Sequence, residues 1–135
     1  MMRPFIYFSF LTILSFSTKA QFSIDSVDYQ YGGGVTGQSK TFRFSAGKII
    51  MAEGLIEPPF HYYRKLKKSN WKKICKNAEL LMDDPSSYQK PSNYYISISI
   101  YSGIQKKKYT WALDDGQVPA EVHDFATLLK NISLK

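Results

Sequence analysis

Cysteine and histidine are scarce in this chain. Among 135 residues there is one cysteine, Cys75, and there are two histidines, His61 and His123. A single cysteine excludes an intramolecular disulfide, so the stability of the fold must come from its hydrophobic core. The two histidines lie far apart in the sequence with no second ligand at close spacing. We therefore expect neither a metal site nor a cofactor.

The patterns of common catalytic sites are also missing. No serine lies in a Gly-x-Ser-x-Gly elbow. The carboxylate pairs Asp83-Asp84 and Asp114-Asp115 stand beside Pro85 and Gly116, where turn chemistry accounts for them. Cys75 falls on the apolar stripe of a predicted helix, whereas a reactive thiolate needs an exposed, electropositive setting. We expect a protein that is not an enzyme, with catalysis through Cys75 as the one enzymatic alternative.

The first twenty residues have the features of a cleavable signal peptide. One arginine precedes the apolar run Phe5–Phe16, which is shorter than the roughly 20 residues of a membrane-spanning helix. Thr18 and Ala20 place small residues at the −3 and −1 positions of a cleavage site. The apolar run is not followed directly by a cysteine, which excludes a lipoprotein attachment site. Residues 1–20 are thus predicted to be removed, which leaves residues 21–135 as one secreted or periplasmic domain without a transmembrane segment.

Alternating hydrophobicity predicts strands in the mature chain. Five segments alternate or are short and apolar: 21–31, 40–45, 48–52, 94–101 and 106–113. A change of phase at Asp25-Ser26 predicts a β-bulge in the first of them. The residues expected to point inward include Phe42, Phe44, Tyr94, Ile96, Ile98, Ile100, Tyr109, Trp111 and Leu113.

Two amphipathic helices complete the prediction. Ser69 is the expected N-cap of the first helix, whose apolar stripe is Trp71, Ile74, Cys75, Ala78 and Met82. Pro119 lies near the expected first position of the second helix, whose apolar stripe is Val122, Phe125, Ala126, Leu129 and Ile132. The order β-β-β-α-β-β-α predicts an α+β fold, an antiparallel sheet of about five strands with both helices on one face.

A glycine-rich stretch between the first two strands is the first candidate binding feature. Gly33, Gly34, Val35, Thr36 and Gly37 form the predicted hairpin connection. A phosphate loop would need a helix to follow the glycines, and here a strand follows. We interpret the segment as a wide turn whose tip could contact a partner.

A dense basic segment is the second candidate. It comprises Arg64, Lys65, Lys67, Lys68, Lys72, Lys73 and Lys76 and lies next to Tyr62, Tyr63 and Trp71. Loss of the signal peptide leaves 16 basic residues against 11 acidic, a net charge of about +5. Export argues against nucleic acid as the target, and Trp71 belongs to the apolar stripe rather than to a stacking platform. A solvated helix face and a site for an acidic glycan, lipopolysaccharide or anionic membrane surface stay open as interpretations.

The order of elements resembles that of emfourin-like proteins, small inhibitors of thermolysin-type metallopeptidases. The resemblance lies in a first strand that runs into Gly33–Gly37, the hairpin of 94–101 with 106–113, an Asp-rich turn, a proline and a closing helix. It spans residues 23–132, although the signal peptide, the basic segment and the Pro58-Pro59 loop depart from the pattern. The resemblance implies a binding module that inhibits a peptidase through Gly33–Gly37. The alternative is a protein that binds a polyanion or the envelope surface through residues 64–76.

Overall fold

The computed structural model describes residues 23–55 and 58–135, so the predicted signal peptide lies outside the described residues. The described chain is an α+β fold with one seven-stranded sheet and two helices. The strands are β1 (Ser26–Gly33), β2 (Ser39–Ser45), β3 (Lys48–Gly54), β4 (His61–Lys65), β5 (Gln89–Lys90), β6 (Tyr94–Ser102) and β7 (Gln105–Ala112). The helices are α1 (Lys68–Asp83), between β4 and β5, and α2 (Ala120–Leu134), after β7.

The sheet is mixed, and β1 is its central strand. The spatial order is β4-β3-β2-β1-β6-β7-β5, and every neighbouring pair is antiparallel except β5 with β7. The prediction of an antiparallel sheet of about five strands was therefore incomplete. It missed β4, which is basic and exposed at the sheet edge, and the two-residue β5, which depends on a long-range parallel contact with β7.

The predicted inward phases of the strands are largely confirmed. The core contains Val27 and Tyr29 from β1, Phe42 and Phe44 from β2, Ile98 and Ile100 from β6, and Tyr109 and Trp111 from β7. The pairing of β1 is regular from Ser26 onward, and the register shift in the sheet lies between Ile49 and Ile50, opposite β4. The expected bulge at Asp25-Ser26 is therefore not a feature of the sheet, because β1 begins at Ser26.

Both helices pack into this one core. From α1, Ile74, Ala78 and Leu81 are buried, while Trp71, Cys75 and Met82 of the predicted stripe are only half-buried. From α2, the buried apolar residues are Val122, Phe125, Ala126 and Leu129. The predicted N-cap of α1, Ser69, was wrong by two residues, because Lys67 occupies that position and Ser69 lies inside the helix. Pro119, predicted near the first helical position of the second helix, is the N-cap of α2.

An ion pair organises the sheet face opposite the helices. Arg43 donates two hydrogen bonds to Asp28, from Nε to Oδ1 at 2.7 Å and from Nη2 to Oδ2 at 2.8 Å. The guanidinium also lies over the ring of Phe60, 4.4 Å from its centroid. This arrangement provides hydrogen bonds to the carboxylate of Asp28, whose side chain is only 11% exposed, and the hydrogen bond to Asp28 raises the pKa of Arg43. Neither described helix is both long and apolar enough to cross a membrane.

Candidate binding surfaces

The glycine loop, residues 33–37, connects β1 to β2 as a wide turn. Gly33 ends β1 with φ +105°, and its N–H donates to the oxygen of Gln38 at 3.1 Å. The N–H of Gly34 donates to the oxygen of Asn93 at 2.8 Å, which ties the loop to the chain just before β6. Val35 stands fully exposed at the tip. The loop thus has a fixed base and a free apolar tip.

Close contacts with residues 93 and 94 explain two of the glycines. A Cβ on Gly33 would overlap the main-chain oxygen of Asn93, and a Cβ on Gly34 would lie 2.8 Å from the ring of Tyr94. Gly37, at φ +63°, has open space around it. The base of the loop therefore needs glycine for close approach, whereas Gly37 supplies only the left-handed conformation.

An apolar pocket of about 380 Å³ opens beside this loop, between α2 and the sheet. Its walls include Tyr29, Phe42, Ile96, Trp111 and Ala126, which come from both halves of the sheet and from α2. His123 and Lys130 are the titratable side chains of α2 that line it. A cavity of this size and lining accommodates an apolar side chain with polar groups at its edge.

Large apolar side chains surround the mouth of the apolar pocket. Tyr31 is 39% exposed, Leu113 64% and Leu134 67%, and all three line the pocket. Leu113 was predicted to point into the core with Tyr109 and Trp111, and that prediction was wrong because β7 ends at Ala112. Tyr94, expected on the inward face of β6, is also largely exposed, at 57%.

The glycine loop and the apolar pocket adjoin each other. A shallower depression of about 180 Å³ is lined by Tyr31, Gly33, Tyr94 and Leu113, among others. It shares Tyr31 and Leu113 with the apolar pocket and Gly33 with the loop. Sequence reasoning singled out the loop but missed the pocket. The sequence signal that could have indicated the pocket was the presence of apolar residues at the strand ends, such as Tyr31 and Leu113. They continue the alternation of the core residues but lie where the helices no longer bury them.

The basic segment is divided between two surfaces. Arg64, Lys65, Lys67 and Lys73 line a groove of about 500 Å³ where β4 and the start of α1 meet the end of α2. Lys135, at the end of α2, adds a fifth cation to this basic groove. The remaining lysines, Lys68, Lys72 and Lys76, are exposed on α1 outside it and follow a spacing of four residues. We call these three the outer stripe.

Arg64 is held in place in the basic groove. Its Nη2 donates to the hydroxyl of Tyr63 at 2.8 Å, and its guanidinium lies 4.6 Å from the centroid of that ring. The Tyr63 hydroxyl in turn donates to the main-chain oxygen of Ser133 in α2, at 3.4 Å. This chain of contacts links β4 to the last turn of α2. The arginine is therefore oriented before any ligand arrives.

Among the described residues, no acidic side chain lines the groove. Within the part of the chain that the structure describes, the close contacts between basic and acidic side chains are the ion pair of Arg43 with Asp28 and the approach of His123 Nδ1 to Asp124 Oδ1 at 3.8 Å. None of the five groove cations takes part in them. α1 also begins here with no side-chain cap and no acid in its first turn. Unpaired positive charge is therefore concentrated in a concave site.

Cys75, considered for catalysis, lies outside these surfaces, whereas His123, considered for metal binding, lines the apolar pocket. Cys75 is half-buried on α1, and burial, reinforced by the carboxylate of Glu79, raises the pKa of its thiol. A protonated thiol is a weak nucleophile. The residues described, 23–55 and 58–135, contain no group of three or more His, Cys, Asp or Glu side chains arranged to hold a metal ion.

Comparison with models of protein families found no match to this chain. A search of curated proteins likewise found none.

Proposed function

We propose that this chain is a small exported binding module that acts without catalysis and holds a protein partner at the glycine loop and the apolar pocket. The observation that carries the proposal is the junction of these two features at one end of the sheet. The loop offers the exposed side chain of Val35, and the depression lined by Gly33, Tyr31 and Leu113 connects the base of the loop to the concave pocket. A projecting tip beside a cavity suits an extended segment that inserts one apolar side chain.

The energetics favour such a contact. Leu113, Leu134 and Tyr31 present apolar surface to solvent around the mouth, and covering it gains about 25 cal/mol per Å². Aromatic and aliphatic anchors that fill a pocket commonly dominate protein–protein affinity. His123 and Lys130 at the edge add donors that can fix the main chain of the inserted segment.

The partner class we propose is a thermolysin-type metallopeptidase, as the resemblance to emfourin-like proteins implies. The glycine loop is the expected contact, with residues 33–37 applied to the peptidase surface. The absence of a disulfide does not conflict with this role, since the loop is anchored by the hydrogen bond from Gly34 to Asn93.

The test measures inhibition by the purified protein, in stoichiometric excess, of several thermolysin-type peptidases. We expect inhibition, and we expect Leu113→Asp to weaken it by about tenfold or more, because it places a charge at the pocket mouth. The matched control is Leu80→Asp, since Leu80 is 65% exposed on α1 and does not line the pocket. Full activity of all the peptidases would reject the inhibitor proposal. Equal effects of the two variants would reject the pocket as the contact.

A second candidate function is binding to a polyanion or an anionic envelope surface through residues 64–76. The observation that favours it is the collection of four cations from this segment in one concave groove. Retention on heparin resin is the direct test. A protein that elutes at the same salt as a neutral protein of its size would exclude this function.

A further inference from the structure

The basic groove combines two kinds of surface. Its edge carries the five cations Arg64, Lys65, Lys67, Lys73 and Lys135, together with neutral polar groups from Ser69, Asn70 and Asn131. Its floor is apolar and consists of Ile49 and Leu66, which are buried, and Leu128 and Ile132, which are half-buried. A simple charged surface would have no such floor.

From this arrangement we infer that the basic groove is a discrete site for a phosphate or sulfate ester carried on an apolar body. The inference rests on the second candidate function and narrows it from a segment of chain to one cavity. The cations neutralise the ester group, and Leu128 and Ile132, which are half-buried above Ile49 and Leu66, offer apolar surface to the rest of the ligand. Arg64, already oriented by Tyr63, is the residue best placed to form paired hydrogen bonds with ester oxygens.

The charge count supports an anionic occupant. The five cations lie around one cavity whose described lining carries no acidic side chain. Five like charges around one cavity repel each other, so a di- or polyanion relieves that repulsion when it binds. The outer stripe lacks this concentration, because its three lysines project from a convex helix surface.

The ligand chemistry has two sources, a lipid headgroup in a membrane and a soluble phosphate ester. Three probes distinguish them: tripolyphosphate, short-chain dihexanoyl phosphatidic acid, and phosphatidylcholine vesicles with and without phosphatidic acid. We expect the short-chain lipid to bind about tenfold more tightly than tripolyphosphate, because only the lipid has an apolar body for the floor. Binding to the vesicles as well would identify a membrane source, and binding to the short-chain lipid alone a soluble one.

Two triple variants with equal charge change form the central comparison. The groove variant is Lys65→Gln, Lys67→Gln and Lys73→Gln, and the stripe variant is Lys68→Gln, Lys72→Gln and Lys76→Gln. All six lysines are exposed, so both variants should fold, and their melting temperatures check this. Titration calorimetry with the short-chain lipid should show a loss of about tenfold or more for the groove variant and at most about twofold for the stripe variant.

Arg64→Lys gives an independent readout, because it keeps the charge and removes the planar fork. We expect this variant to bind the short-chain lipid several-fold more weakly, whereas an effect of charge alone would leave the affinity unchanged. Equal losses in the two triple variants would overturn the inference, although the polyanion function would survive. If tripolyphosphate bound as tightly as the short-chain lipid, the proposed contact between the apolar floor and the ligand would be wrong. No binding of any probe, with no retention on heparin, would reject the function together with the inference.

Discussion

Two glycines of the same loop should respond very differently to alanine. Gly33 and Gly37 both have positive φ, at +105° and +63°. Holding alanine in the left-handed region costs about 1–2 kcal/mol relative to glycine. For Gly37 that is the whole cost, because nothing lies within 4 Å of an added Cβ. We expect Gly37→Ala to lower the free energy of unfolding by about 1 kcal/mol.

Gly33→Ala carries the same conformational cost and a steric one. The new Cβ would overlap the main-chain oxygen of Asn93, which no side-chain rotation can move. Relief requires β1 and β6 to separate at this end, which breaks the 2.8 Å hydrogen bond from Gly34 to Asn93, about another 1 kcal/mol. With the lost packing, the expected total is about 3 kcal/mol or more.

Thermal unfolding followed by circular dichroism measures both effects. At about 4 °C per kcal/mol for a domain of this size, Gly37→Ala should lower Tm by about 4 °C and Gly33→Ala by about 12 °C or more. Similar shifts for the two variants would refute the reasoning, because conformational strain alone would then explain both positions.

Two further predictions concern buried polar groups. Burial raises the pKa of both Tyr29 and Tyr109 to about 12, whereas tyrosines of the unfolded chain ionise near pH 10. The free energy of unfolding therefore does not depend on these tyrosines' ionisation below pH 10. It falls as pH rises toward 12, by up to about 1.4 kcal/mol per pH unit for each tyrosine, because the unfolded chain loses its protons first. Urea denaturation between pH 8 and about 11.5 should show that the free energy of unfolding falls less steeply with pH for Tyr109→Phe than for the unmodified protein. Parallel plots of the free energy of unfolding against pH would contradict ionisation of Tyr109 as the cause. Asp28→Asn should lower the free energy of unfolding by about 2 kcal/mol, since it weakens two charge-assisted hydrogen bonds from Arg43; a change under about 0.5 kcal/mol in the same assay would mean that the pair behaves as an exposed one.

The strands that could be predicted from sequence are those with one buried face. The alternation in 40–45 and 94–101 reports burial directly, so β2 and β6 were identified close to their true bounds. β4 lies at the sheet edge with no fully buried residue, and β5 has two exposed residues, so neither leaves a periodic signal. Their existence depends on neighbours supplied by the fold.

The candidate sites show the same limit. The turn at Gly33–Gly37 is visible locally, because glycine content reports backbone conformation. The apolar pocket is not, since Leu113 has the phase and hydrophobicity of a core residue and is exposed only because β7 has ended. The division of the basic segment depends on the end of α2, which brings Lys135 to within one groove of Arg64, about 70 residues earlier in the sequence.

The central position of β1 has a consequence for how the chain would cross a membrane. In the exported protein that we propose, β1 enters the new compartment early, yet its partner β6 begins about 60 residues after β1 ends. The pairing of β1 with β6 at the centre of the sheet cannot be completed until residue 101 is available, because Ser26 pairs with Tyr101 and Val27 with Ile100. Long-range pairing of this kind slows folding. If the chain is exported as we propose, this topology keeps it threadable through a narrow channel until most of it has passed, and the sheet forms on the far side.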